Sequence, residues 1–120
     1  MKKYKQVVGD FGESLARRYL IDKGYIVIGA KIKSSYQEID IVAEHQGKIV
    51  FVEVKTRTSD SLGEAEEAMD SLKIKNLKKA MQEYALVHNY NFDDLRGDLV
   101  AIRIDKSRKI ANIKHYRDVF

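Results

Sequence analysis

From Gln37 to Lys55 the chain reads QEIDIVAEHQGKIVFVEVK, two runs in which apolar and polar positions alternate. Ile39 to Ala43 and Lys48 to Val54 are rich in β-branched residues, and Gly47 supplies turn chemistry between them. The pattern predicts a β-hairpin. With Gln46-Gly47 as a two-residue turn, Val42 faces Phe51, Asp40 faces Glu53 and Glu38 faces Lys55. Opposed residues share a face. Glu38, Asp40, Glu53 and Lys55 therefore gather beside Val42 and Phe51. The other face, Ile39, Ile41, Ala43, Val50, Val52 and Val54, is wholly apolar and is expected to pack against helices.

On the N-terminal side of the hairpin, Phe11, Leu15, Ala16, Tyr19 and Leu20 recur at helical spacing and predict a helix from Asp10 to Lys23. Asp10 reads as its N-cap, Glu13 completes a capping box, and Gly24 stands at the C′ position. A strand is expected from Tyr25 to Ile32, then a polar corner from Lys33 to Gln37. After the hairpin, TRTSDSLG reads as a loop. Helical sequence runs from Glu64 to about His88, interrupted near Asp70 and Ser71. Its apolar side carries Leu72, Ile74, Leu77, Met81, Tyr84 and Ala85. Strands over Asp98 to Ile104 and Ile110 to Tyr116, joined by DKSRK, complete an α-β-β-β-α-β-β order. That order predicts one α/β domain over residues 1–120, a mixed sheet flanked by helices.

At 120 residues the chain suits a single domain with its own core. It has no cysteine, which excludes disulfides and cysteine-ligated zinc. MKKYKQVVGDFGES lacks the apolar stretch of a signal peptide, and no apolar run approaches the roughly 18 residues of a membrane span. A cytoplasmic protein with no membrane partner is expected. His45, His88 and His115 form no ligand spacing. The net charge of +4 suits a polyanionic partner such as nucleic acid.

Two readings fit the charged face of the hairpin. A solvent-exposed ladder accounts for Glu38 with Lys55, but it sets Asp40 against Glu53, and like charges directly opposed destabilise a sheet. A divalent cation between the two carboxylates reverses the sign of that interaction, and Mg²⁺ takes carboxylate, water and phosphate oxygens. Lys55 then stands where an ammonium can position a water or offset developing charge. Asp, Glu and Lys around one ion are the parts of metal-assisted phosphodiester hydrolysis.

The same residues carry a family likeness. EID followed by FVEVKTR resembles the YraN family, bacterial proteins of the restriction-endonuclease-like, PD-(D/E)xK fold that are similar to archaeal Holliday-junction resolvases. GDFGESLARRYLIDKGYIVI resembles that family's opening helix and first strand, LGEAEEAMDSLKIKNLKKAMQEYA its second helical region, and RGDLVAI its later Arg-x-Asp strand. The proline of the motif's name is absent, and Glu38 and Ile39 stand in its neighbourhood. The resemblance implies that Asp40 and Glu53 hold Mg²⁺, with Mn²⁺ as a substitute, together with the Val54 carbonyl. It implies that Lys55 is the catalytic lysine and that Glu13 is a helix carboxylate assisting the metal, a role that competes with its place in the capping box. Lys73 matches the family's helix lysine best, with Lys75 second. Lys73, Lys75, Lys78 and Arg57 are expected to contact phosphates, against a reading of KIKNLKK as a solvated helix face. The implied activity is a Mg²⁺-dependent endonuclease acting on DNA, including branched or structured DNA, with a homodimer expected where two strands are cut symmetrically. The alternative is a non-catalytic nucleic-acid-binding module on the same fold. Asp98 is expected to pair with Arg96 or Arg57. Tyr4, Tyr36 and Tyr90 are open to two readings, stacking on bases or packing at element ends.

Overall fold

The computed structural model describes residues 3–58 and 69–120. Helix α1 spans Tyr4–Asp22, so it starts well before Asp10, and Lys3 caps it without a side-chain hydrogen bond. The capping box is therefore corrected. Nothing in YKQVV breaks a helix, and each residue added to an existing helix gains a backbone bond. Asp10 and Glu13 become interior residues of the helix, and Lys31 stands against both carboxylates. The C-terminal end follows expectation. Gly24 takes φ +93, its N–H donates to Ile21 O, and Tyr25 N–H donates to Leu20 O, closing the helix by a Schellman motif.

The buried stripe of α1 is Gly12, Ala16 and Leu20, with Leu15 and Tyr19 packed at its border; Phe11, expected in the stripe, is exposed. Gly12 sets how closely the helix approaches the sheet. A Cβ there would stand 1.9 Å from Thr56 Oγ1.

The sheet runs β1 (Ile26–Ser34), β2 (Gln37–His45), β3 (Lys48–Thr58), β4 (Leu95–Asp105) and β5 (Ile110–Tyr116), in that spatial order. Only β3 and β4 pair in parallel, and helix α2 (Ser71–His88) makes the crossover between them. The polar corner is tighter than expected: β1 continues to Ser34, and Ser35-Tyr36 alone turn the chain into β2. β4 also starts earlier than expected, at Leu95. Asp70 is the N-cap of α2, its carboxylate accepting from Lys73 N–H, so the interruption read near Asp70 is where this helix begins. The helical sequence before it and most of TRTSDSLG lie outside the described residues. Leu72, expected on the buried side of α2, is exposed.

The helices cover opposite faces. Ala16 and Leu20 of α1 pack with Ile41, Ala43, Val50 and Val52, while Ala80 and Met81 of α2 pack with Val42, Ile49 and Phe51. Ile39 departs from the alternation. It packs with Val42 and Phe51 on the α2 side and not with Ile41. The change of face falls opposite Lys31, which takes a left-handed φ of 51° between the pairs Ala30↔Ile41 and Ile32↔Ile39. No helix among the described residues is long and apolar enough to cross a membrane.

Gly12→Ala is expected to destabilise the fold by about 1–3 kcal/mol, the usual cost of overpacking a closed contact. Urea unfolding measures it, and Thr56→Ala, which removes Oγ1, is expected to restore part of the loss in the double variant.

Candidate metal centre

The β2–β3 hairpin adopts the expected register over its turn half, with Ile41↔Val52, Val42↔Phe51 and His45↔Lys48 paired across the Gln46-Gly47 turn. The ladder then stops. From Glu53 onward β3 leaves β2 but stays paired with β4 as far as Thr58↔Ile104. The expected direct opposition of Asp40 to Glu53 and of Glu38 to Lys55 is therefore corrected, because the two strands fork at that level. The Asp40 carboxylate fills the fork. Its Oδ2 accepts the Val54 N–H at 2.8 Å, satisfying a backbone donor that a continuing ladder would have paired.

The fork opens a cleft of about 480 Å³. Helix α1 contributes Tyr4, Lys5, Val8, Gly9 and Glu13; β2 contributes Gln37, Glu38 and Asp40; β3 contributes Glu53 to Thr58; and α2 contributes Lys73. Four carboxyl groups and four cationic side chains thus share one concavity. Glu13, Glu38 and Asp40 can each place one oxygen within 4.8 Å of the others. Glu53 lies deeper, 3% exposed, with Lys73 Nζ at 3.0 Å and Lys55 Nζ at 3.9 Å from its Oε2. Lys31 Nζ binds Asp10 at 2.7 Å and stands 3.6 Å from Glu13 Oε2. Among the described residues, neither Glu13 Oε2 nor Glu53 Oε2 has a partner in hydrogen-bond geometry, although both are buried. The neighbouring ammoniums offset charge at these two oxygens without satisfying them.

Burial pushes the Asp40 carboxyl up to about 9, helped by a hydrogen bond with Glu53 and by the Glu53 and Glu13 charges, against the lowering effect of the Val54 N–H. Glu13 is also raised, by burial first and by Glu38, with Lys31 and Asp40 opposing. A carboxyl group that keeps its proton at neutral pH, crowded by other carboxyl groups and by buried carboxylate oxygens without hydrogen-bond partners, fits a hard divalent cation. Such an ion takes oxygen ligands and replaces the protons.

The sequence-predicted residues divide clearly. Asp40, Glu53, Val54, Lys55, Glu13, Arg57 and Lys73 all line the cleft. Lys73, expected on phosphate, is instead paired with Glu53. Val54 meets Asp40 through its N–H. Arg57 is half-buried, its guanidinium donating to Thr56 O at 3.1 Å. Lys75 and Lys78 lie outside the cleft, exposed along α2 with Lys79. The sequence reading placed no site role on Lys5 or Lys31. Lys5 fell outside the helix as first bounded, and an isolated strand lysine carries no signal. Asp98 takes the Arg96 option: both guanidinium contacts are 2.9 Å, and His115 Nε2 and the Asp118 N–H add bonds of 2.7 and 3.0 Å. Burial raises its carboxyl, but the His115 and Arg96 hydrogen bonds outweigh that and hold it at about 2. Centred on the buried Asp98, this knot ties β4 to β5, and none of its members lines the cleft.

Residues 12–102 match the model of a family described as "Uncharacterised protein family UPF0102". The chain is 39% identical over 113 residues to a UPF0102 protein of Syntrophomonas wolfei, covering 94% of this chain and 96% of that protein. It is 35% identical over 122 residues to one from Caldanaerobacter subterraneus, covering both chains in full. A third similar protein, from Sulfurihydrogenibium, is 40% identical over 95 residues, 79% of this chain and 83% of its own.

The Asp40 carboxyl is raised from its ordinary 3.8, so the folded chain keeps a proton between about 4 and 9 that the unfolded chain has lost. The stability this group contributes is complete below about pH 4 and is lost as pH rises toward 9. Asn at this position mimics the protonated form. In EDTA, Asp40→Asn is expected to raise Tm by several degrees at pH 8 and by clearly less at pH 5; equal gains at both pH values in thermal unfolding would refute the proton assignment.

Proposed function

The chain belongs to the UPF0102 family, and for it we propose a divalent-metal-dependent endonuclease that hydrolyses phosphodiester bonds in DNA, branched or structured DNA included. The observation that carries this reading is the convergence of Glu13, Glu38, Asp40 and Glu53, from one helix and two strands, with Lys55 and Lys73 in a single cleft. The resemblance of EID and FVEVKTR to the YraN family supports the same reading, with Mg²⁺ as cofactor and Mn²⁺ as substitute.

A divalent cation in this cleft would supply Lewis-acid stabilisation of charge developing on the phosphoryl oxygens. Asp40 and Glu53 are the residues that would hold it, with Glu13 and Glu38 beside them. Asp40 is fixed by the Val54 N–H, so its free oxygen faces the crowded side of the cleft. Lys55 stands at the rim of that group, 3.9 Å from Glu53 and only partly buried. From there it orients a water toward a phosphate and offsets negative charge in the transition state. Lys73 balances Glu53 until a phosphodiester enters, and then offers its ammonium to a phosphate oxygen. Arg57, at the outer end of β3, extends the cationic surface along the backbone path.

One observation favours a second reading. The 3.0 Å Lys73–Glu53 pair neutralises the deepest carboxylate without a cation, as suits a nucleic-acid-binding module that cuts nothing. Calorimetric titration of Mg²⁺ or Mn²⁺ into wild type and Glu53→Ala, paired with a cleavage screen on duplex, flapped and four-way DNA, separates the two.

Asp40→Ala and Glu53→Ala are expected to lower cleavage by on the order of 10²–10³-fold or more while remaining folded by circular dichroism. Lys55→Ala is expected to keep its metal-binding isotherm and to lose about 10²-fold in turnover. Undiminished cleavage by Asp40→Ala, in a preparation free of contaminating nuclease, overturns the endonuclease.

A further inference from the structure

Two exposed tyrosines belong to the cleft or adjoin it in sequence. Tyr4 opens α1 and lines the cleft itself beside Lys5, yet it is 58% exposed. Lys106 from the β4–β5 turn lies 4.5 Å from its ring centroid, a cation–π contact that steadies the ring from one side. The lining also includes Gln37 and Glu38, and the residue before them is Tyr36.

Tyr36 is held in an unusual way. It is fully exposed, at 101%, and its φ is +64°, following Ser35 at +51°. Two-residue turns of this kind favour Asn and Gly, and a bulky side chain in the left-handed region is strained. The turn is also pinned. Ser34 Oγ donates to Ala80 O at 2.9 Å, and Ser35 Oγ donates to the Glu83 carboxylate, so both serines are fastened to α2 while the tyrosine ring is left in solvent. A strained, anchored turn that presents an aromatic ring to water gains nothing for the core. α2, to which this turn is fastened, carries the exposed Lys75, Lys78 and Lys79, and the cleft that Tyr4 lines carries Lys5 and Arg57. An aromatic face accompanied by cations is the chemistry that takes an unpaired base and its phosphate.

We propose that Tyr4, in the cleft lining, and Tyr36, in the turn that leads into it, are stacking platforms for unpaired bases, which makes the substrate of this cleft DNA with splayed or single-stranded nucleotides in place of closed duplex. The proposal rests on the endonuclease reading for the identity of the cleft, but its test does not depend on cleavage. Fluorescence anisotropy in EDTA measures binding of a labelled single-stranded 20-mer and of the matching duplex. Wild type is expected to prefer the single strand. Tyr4→Ala and Tyr36→Ala are each expected to weaken single-strand binding by about tenfold or more, with duplex binding changed less than twofold. Tyr4→Phe and Tyr36→Phe keep the ring and are expected to bind as wild type does. The dependence of affinity on salt is expected to keep its slope in all four variants, because no phosphate contact is removed. Equal losses on both DNA forms, no loss in the alanine variants, or loss in the phenylalanine variants overturns the platforms. Absence of metal-dependent cleavage, with the binding pattern intact, overturns the nuclease and leaves the platforms standing.

Discussion

The fork between β2 and β3 is the constraint on which the rest of the cleft depends. β3 must pair with β2 near the hairpin turn and with β4 along its whole length. Where its pairing with β2 stops, a backbone N–H is left at Val54. A buried donor without a partner costs free energy comparable to a lost hydrogen bond. Asp40 supplies that partner from its side chain, and this draws a carboxylate inward beside Glu53. The acidic cluster follows from an accounting requirement of the sheet as much as from any demand of chemistry.

Charge in the cleft is arranged in depth. Glu53 on β3 is almost fully buried and meets Lys73 of α2, while Glu13 of α1 meets Lys31 of β1. Asp40 lies between these two pairs and, with no cation of its own, keeps a proton. The cluster therefore exchanges protons, lysine ammoniums and, in the proposed function, a divalent ion for the same oxygens. Each substitutes for another at little structural change because the carboxylates are already close together.

The walls around this group are fixed by contacts that leave no room for a side chain. Gly12 lets α1 lie against Thr56 on β3, which brings Glu13 one residue further along the helix to the level of Asp40. Gly97 on β4 does the same for Phe120, whose ring packs with Phe51 and Met81 under α2. On the far side of the sheet, the Asp98, Arg96 and His115 knot joins β4 to β5 through a fully satisfied carboxylate. The sheet that carries the cleft is thus clamped by one close helix contact and one polar knot.

Alternation and turn chemistry alone determined the order of elements, the turn half of the hairpin and the Schellman end of α1, because each depends on neighbours within a few residues. They also brought Asp40, Glu53 and Lys55 to one region, since strand period and turn length place these residues with little freedom. Tertiary structure decided the remainder. Helix α1 extends to Tyr4, which turns Glu13 from a cap into a cleft residue. Lys31 adopts a left-handed backbone at the level where Ile39 turns to the α2 side. Lys73 folds back on Glu53. The fork replaces direct opposition with an Asp40–Val54 bond. At Lys73 and at the fork a local preference met a contact distant in sequence, and burial of a charge or a backbone donor outweighed it.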